Sequence, residues 1–280
     1  MVSKKMLDLG TKRSVIRDIF EYGSKLAKEI GAENVLDFSL GNPNVPAPDF
    51  IRDAAIDILM HGDPTEVHGY TIAPGKPAVR EALAADLKHR FGMEVTGKNL
   101  FMTAGAAASV TITFKALTEP WDEFVTFAPF FPEYRVFVEA CGGKLVVVPA
   151  KTDDFQIDLT ALERALTPQT KAVIVNSPNN PSGAVYSETT IRHLADLLRA
   201  KEQEYGHTIF IVADEPYREI VYDGASVPCI PLFYVNAIVC YSYSKSFSLP
   251  GERIVYIVVP ATAAVFARIS GAHEGAARVL

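Results

Sequence analysis

Ala237-Ile238-Val239-Cys240-Tyr241 runs directly into Ser242-Tyr243-Ser244-Lys245-Ser246-Phe247. The first five residues are apolar without alternation, which predicts a strand buried on both faces of a parallel sheet. The six that follow then form a loop at the carboxyl end of that strand, the rim where open α/β sheets place their ligands. Lys245 in such a loop is either a solvated surface lysine or an amine nucleophile able to form a Schiff base with an aldehyde cofactor.

Runs of the same kind recur outward from this stretch. Strands are predicted at 99–102, 123–127, 144–148, 171–175, 208–213, 237–241 and 253–259, with helices at 105–117, 132–140, 158–166 and 188–204. Short β-branched strands alternating with helices predict an α/β fold: a mostly parallel seven-stranded sheet with helices on both faces, three layers in all. Upstream, Ile16, Ile19, Phe20, Leu26 and Ile30 recur at helical spacing and predict a helix over 11–30, ended by Gly31. Residues 35–40 read as a short strand. Gly41 to Pro48 reads as a rigid turn and a boundary between domains. Helices are expected over about 49–60 and over 77–91, and the alanine-rich stretch 261–280 is helix-like.

A chain of 280 residues suffices for one large domain, or one domain and part of another. Its 49% hydrophobic and 21% charged residues are ordinary for a globular protein, and a formal net charge of −6 argues against a nucleic-acid partner. No apolar stretch is long enough to span a bilayer, and no apolar signal core follows the basic start at Met1 to Met6. Cys141, Cys229 and Cys240 are too few and too scattered for a disulfide framework or a zinc cluster, and they suit a reducing cytoplasm.

Four more loops fall at the rim that carries Lys245. Thr103-Ala104-Gly105-Ala106-Ala107-Ala108-Ser109 opens a helix with small residues, which suits a phosphate on bare N–H groups and equally suits tight helix–sheet packing. Ala128-Pro129-Phe130-Phe131-Pro132-Glu133-Tyr134 offers aromatic rings, for a flat heterocycle or for packing against the next helix. Asn176-Ser177-Pro178-Asn179-Asn180-Pro181-Ser182-Gly183 is a stiff polar turn that fixes an amide side chain. Asp214 leaves an apolar strand with Tyr217 three residues on. A carboxylate there needs a partner, such as a protonated heterocyclic nitrogen, unless it caps a helix. Arg253, at the head of the last strand, has the fork that matches a phosphate, and Ser242 and Ser244 add hydroxyls.

Taken together, Ser177-Pro178-Asn179-Asn180-Pro181-Ser182-Gly183, Asp214-Glu215-Pro216-Tyr217, and Ser242-Tyr243-Ser244-Lys245 followed by Gly251-Glu252-Arg253 resemble the class I/II aminotransferases of fold type I, over nearly the whole chain. The resemblance implies pyridoxal 5′-phosphate as cofactor, held covalently on Lys245. It implies that Asp214 pairs with the pyridine nitrogen and keeps it protonated, making the ring an electron sink. It further implies that Asn180 and Tyr217 bond the ring's phenolic oxygen and that Phe131 stacks on the ring. The amides of Ala106 and Ala107, with Ser242 and Arg253, would hold the phosphate. Tyr70 matches a tyrosine that reaches the phosphate of a neighbouring subunit, which implies a homodimer with shared sites. Gly41, with Asn180, falls where the family meets its substrate.

The activity so implied is a ping-pong transfer of an amino group between an amino acid, of aspartate type or broad range, and a 2-oxo acid, with Lys245 as general base. Two other readings fit the same residues: a β-lyase cleaving carbon–sulfur bonds on the same fold, and a cofactor-binding fragment without turnover. The expected organisation is an N-terminal arm over 1–45 contributing to a small domain, and a cofactor-binding large domain over 46–280. The family's C-terminal small domain, with the arginine that grips the substrate carboxylate, is expected to be missing. Arg268 and Arg278 do not match that arginine, so a partial chain of a longer aminotransferase is the expectation.

Overall fold

A computed structural model describes residues 2, 4–11, 15–263 and 266–278. The chain forms two units, Met1–Pro46 and Ala47–Leu280.

The first unit holds helices α1 (Lys4–Thr11) and α2 (Val15–Ile30) and a 3-10 turn at Ala32–Asn34. The helix predicted over 11–30 is thus described from Val15, residues 12–14 lying outside the described residues. The predicted strand at 35–40 is not formed. A strand needs a neighbour to pair its backbone, and the described residues of this unit contain no other strand. Asp37 favours a turn instead: its Oδ1 accepts from Ser39 N at 2.8 Å and from Ser39 Oγ at 2.6 Å, so the side chain takes a donor that a ladder would need.

In the second unit, helices α3 (Asp49–His61), α4 (Pro64–His68) and α5 (Pro77–Phe91) precede strand β1 (Leu100–Ala104). Then follow α6 (Ala106–Leu117), β2 (Glu123–Phe127), α7 (Glu133–Ala140), β3 (Lys144–Val148), α8 (Leu159–Ala165), β4 (Thr170–Asn176), α9 (Glu188–Tyr205) and β5 (Phe210–Asp214). The last elements are β6 (Ala237–Ser242), the single turn α10 (Tyr243–Ser246), β7 (Ile254–Val258) and α11 (Phe266–Ala277). Local chemistry sets the ends. Ser187 Oγ accepts from Thr190 N at 3.1 Å to open α9. Pro77 fills the first position of α5, and Lys88, His89 and Arg90 sit in its last turn, favourably placed on the helix dipole.

The seven strands form one sheet in the order β1-β7-β6-β5-β4-β2-β3. Every pairing is parallel except those of β7, which runs antiparallel to both β1 and β6. Side chains alternate between the two faces. On β5, Ile211 and Ala213 join the core beneath α5, α8 and α9, while Phe210 and Val212 join the core beneath α6, α7 and α11. The α/β, three-layer, mostly parallel architecture expected from the sequence is the one observed. The same alternation sends Asn176, Asp214 and Ser242, the last residues of β4, β5 and β6, toward the α6–α7–α11 face.

Candidate functional site

The site is built along one rim of the sheet. Register places Asn176 opposite Asp214, Asp214 opposite Cys240, Ser242 opposite Val255, and Ala104 opposite Ile254. A parallel β7 would have put Arg253 at the far rim. Because β7 is antiparallel, its head lies beside the carboxyl ends of β1 and β6, and Arg253 joins the same row.

Asp214 is the centre of the row and is 6% exposed. It does not cap a helix, since a turn follows it at 216–219. Tyr134, the second residue of α7, donates its phenol to Asp214 Oδ2 at 2.5 Å. Asp214 Oδ1 is buried and has no hydrogen-bond partner. Burial pushes this carboxyl up to about 6, against the Tyr134 hydrogen bond that favours the charged form, with Glu215 adding to the rise.

The loop after β4 is tied to the Asp214 backbone through the Asn176 side chain. Asn176 Nδ2 donates to Asp214 O at 2.8 Å, and Asn176 Oδ1 accepts from Asn180 N at 2.7 Å. That pins the stiff turn predicted at 176–183. Asn180 Nδ2 then donates to Tyr217 Oη at 3.2 Å, so the two predicted partners of one oxygen already touch. Burial and the nearby Asp214 charge raise the Tyr217 phenol above its ordinary range. Next to Tyr217 in sequence, Arg218 forms a buried fork with Glu215. Arg218 Nε and Nη2 donate to Glu215 Oε2 and Oε1 at 2.6 and 2.7 Å, and Arg218 Nη1 and Nη2 also donate to Val227 O and Pro228 O at 3.0 and 2.9 Å.

Lys245 stands in the middle of α10 and is half-buried. Burial holds its ammonium below the ordinary lysine value, so the amine is neutral over a wider pH range. Ser242 opens that turn: its Oγ accepts from Ser244 N at 3.2 Å and donates to Ser244 Oγ at 2.9 Å.

An uncapped helix N-terminus also opens on this rim. Gly105 precedes α6 with φ +102°, and no side chain caps the helix, so the amides of Ala106 and Ala107 lead an open N-terminus. The Arg253 guanidinium lies against Gly105: a Cβ there would overlap it, with Nε 2.6 Å away. A bare backbone is therefore what lets the arginine lie against the helix end. Phe131 is half-buried at the rim and packs edge-on to Tyr134, ring centroids 5.6 Å apart.

The structure thus brings Lys245, Asp214, Tyr217, Asn180, Phe131, Ala106, Ala107, Ser242 and Arg253 to one rim. Tyr70 is fully exposed after α4. Gly41 belongs to the first unit. Sequence reasoning missed the contact from Tyr134 and the Glu215–Arg218 fork. Tyr134 was in view as one of several aromatics, but its link to Asp214 needs α7 docked on the face toward which Asp214 points. The three-residue spacing of Glu215 and Arg218 was the available signal for the fork.

Fit to pyridoxal 5′-phosphate rests on two observations. A buried carboxylate oxygen without a partner suits a protonated ring nitrogen. An open helix N-terminus under a guanidinium suits a phosphate.

Comparison with known proteins bears on the family and the fold. Residues 33–276 match the family described as Aminotransferase class I and II. The chain is 34% identical over 221 residues to a probable aspartate/prephenate aminotransferase from Thermus aquaticus, covering 79% of this chain and 55% of that protein. It is 32% identical over 239 residues to an arginine–pyruvate transaminase from Pseudomonas aeruginosa, covering 84% of this chain and 58% of that protein. The chain therefore spans under two-thirds of the length of these relatives. Among solved structures, an amino transferase from Eubacterium rectale superposes with a TM-score of 0.97 at 53% identity, over 100% of this chain and 70% of that one.

Proposed function

The chain belongs to the class I and II aminotransferase family, and from that premise we propose that it acts as a pyridoxal 5′-phosphate-dependent aminotransferase between an amino acid and a 2-oxo acid. The unpartnered Asp214 Oδ1 at the rim that carries Lys245 is the observation that supports this most. When bound, the cofactor supplies an electron sink for the carbanion formed at the substrate's α-carbon.

The chain's own residues do the rest. Lys245 Nζ would hold the cofactor covalently and, as a free amine, would accept the α-proton; its burial suits a base that must be neutral near pH 7. Asp214 Oδ1 holds the ring nitrogen's proton. Asn180 and Tyr217 bond the phenolic oxygen, and Phe131 covers the ring. The Ala106 and Ala107 amides, Ser242 and Arg253 bind the phosphate. Asn180 meets the substrate. Tyr70, exposed here, serves a second copy's phosphate in a homodimer. Residues 1–45 act as an arm of a small domain and 46–280 as the cofactor domain, a reading supported by the division at Pro46.

An aspartate-type or broad substrate range fits relatives named for aspartate/prephenate and for arginine–pyruvate at similar identity. A cytoplasmic setting fits three unpaired cysteines, and no helix among the described residues is long and apolar enough to cross a membrane. The test is to add aspartate or glutamate to the cofactor-loaded protein. Conversion of the cofactor's absorbance to the pyridoxamine form, with one equivalent of 2-oxo acid, is expected. Pyruvate and ammonia released from a β-substituted amino acid, with no such conversion by any amino acid, would overturn it in favour of lyase chemistry.

A further inference from the structure

Tyr134 is tied to Asp214 more closely than its place in the apolar core requires. It is 1% exposed, on a helix whose Val138 is fully buried in the same core, and its backbone N–H donates to Phe131 O at 3.1 Å. Its ring is therefore fixed. Its phenol meets Asp214 Oδ2 at 2.5 Å, the short distance of a hydroxyl donating to an ionised carboxylate. Packing alone would be served by phenylalanine.

The surrounding groups leave this bond a distinct role. Burial and the Asp214 charge hold the Tyr134 phenol well above its ordinary range, so it keeps its proton and remains a donor in every state of the site. From β6, the Cys240 thiol is pushed up to about 12 by burial and by Asp214, and is neutral. Glu215 is committed to Arg218. Tyr217 receives its bond from Asn180. Asn176 contacts the Asp214 backbone carbonyl.

We propose that Tyr134 is a positioning residue: by always donating to Asp214 Oδ2 it confines proton exchange between this carboxyl and the cofactor's ring nitrogen to Oδ1. The role deepens the function proposed above and rests on it. Two oxygens of one carboxyl compete for one proton of the pyridinium. With Oδ2 occupied, the carboxylate is less basic and only Oδ1 faces the choice, so the proton stays on nitrogen. Without the phenol, Oδ2 becomes a second buried oxygen lacking a partner, the carboxylate becomes more basic, and the proton moves from the ring nitrogen to Asp214.

The test is Tyr134→Phe, which keeps the ring and its packing on Phe131. Two readouts are taken on the full chain without turnover. The affinity of the cofactor-free protein for pyridoxal 5′-phosphate, from absorbance titration, should fall about ten- to a hundredfold, the range for one hydrogen bond to a charged group. The nitrogen-15 resonance of ring-labelled cofactor, bound near pH 7, should move from the protonated toward the unprotonated position. 3-Fluorotyrosine at position 134 keeps the shape and donates more strongly, so it should leave the resonance at the protonated position; movement toward the unprotonated position in that variant would overturn the inference even where the phenylalanine variant misfolds. In the phenylalanine variant, an unmoved resonance with affinity within about twofold of the parent overturns the inference while leaving the proposed function intact. A parent protein that binds no cofactor overturns both.

Discussion

Asp214 makes the cofactor-free protein less stable than it could be, and Asp214→Asn should reveal it. The folded protein holds this carboxyl at about 6 instead of 3.8, chiefly through burial. Carrying the charge in the folded state at pH 7.5 therefore costs about 3 kcal/mol relative to the unfolded chain. Asparagine removes the charge and still accepts from Tyr134, but its amide stands where Oδ1 lacks a partner. Allowing about 1 kcal/mol for that unpaired amide leaves a net gain of about 2 kcal/mol, or roughly 4–6 °C in melting temperature for a chain of this size. The sign with pH follows. A folded value above the unfolded one means the folded state binds the extra proton between about pH 4 and 6, so this group's contribution to stability is lost as pH rises through about 6. At pH 5 the penalty is about half that at pH 7.5, and the advantage of the variant shrinks with it. The assay is thermal and urea unfolding of cofactor-free parent and variant at pH 5 and 7.5. A variant less stable than the parent at pH 7.5, or a difference that does not change with pH, refutes the reasoning. The same variant should bind pyridoxal 5′-phosphate poorly, since it cannot balance a pyridinium charge.

Other outcomes follow from the same geometry. Gly105→Ala forces a side chain into a φ of +102° and into the Arg253 guanidinium. Affinity for pyridoxal 5′-phosphate should fall at least about tenfold, while affinity for pyridoxal, which lacks the phosphate, hardly changes; equal losses for both would refute this placing of the phosphate. Glu215→Gln strands the Arg218 charge, which is 7% exposed. It should destabilise the protein by about 3–5 kcal/mol in urea unfolding, whereas a loss under about 1 kcal/mol would place the fork among surface-like pairs. Lys245 should react with an amine-directed acylating reagent at a lower pH than a free lysine in a model peptide, because burial depresses its ammonium; an identical pH profile would contradict that.

What could be read from the sequence was what repeats along it. β2 and β3 fall at the predicted 123–127 and 144–148 because doubly buried strands leave unbroken apolar runs. The rim loops were legible for the same reason: once the strands are placed, their carboxyl ends are placed too. Long-range choices were not. Nothing local in Ile254–Val258 says that β7 runs antiparallel, yet this direction is what brings Arg253 to the site. Residues 35–40 carry strand-like side chains, but a strand requires a partner, and the Asp37–Ser39 turn competes for its donor. Tyr134 belongs to a segment whose aromatics all read as packing. Its contact with Asp214 emerges only when α7 is laid on the face toward which the period-two pattern turns Asp214. The one-turn helix under Lys245 is too short for any periodicity to announce.

The central claim is that Lys245 holds the cofactor. The direct measurement is borohydride reduction of the purified protein with pyridoxal 5′-phosphate, followed by peptide mapping. The account predicts a visible absorbance band that reduction bleaches, and one reduced adduct per chain on the peptide containing Ser244-Lys245-Ser246. No band, or an adduct spread over surface lysines with Lys245 unmodified, would contradict it.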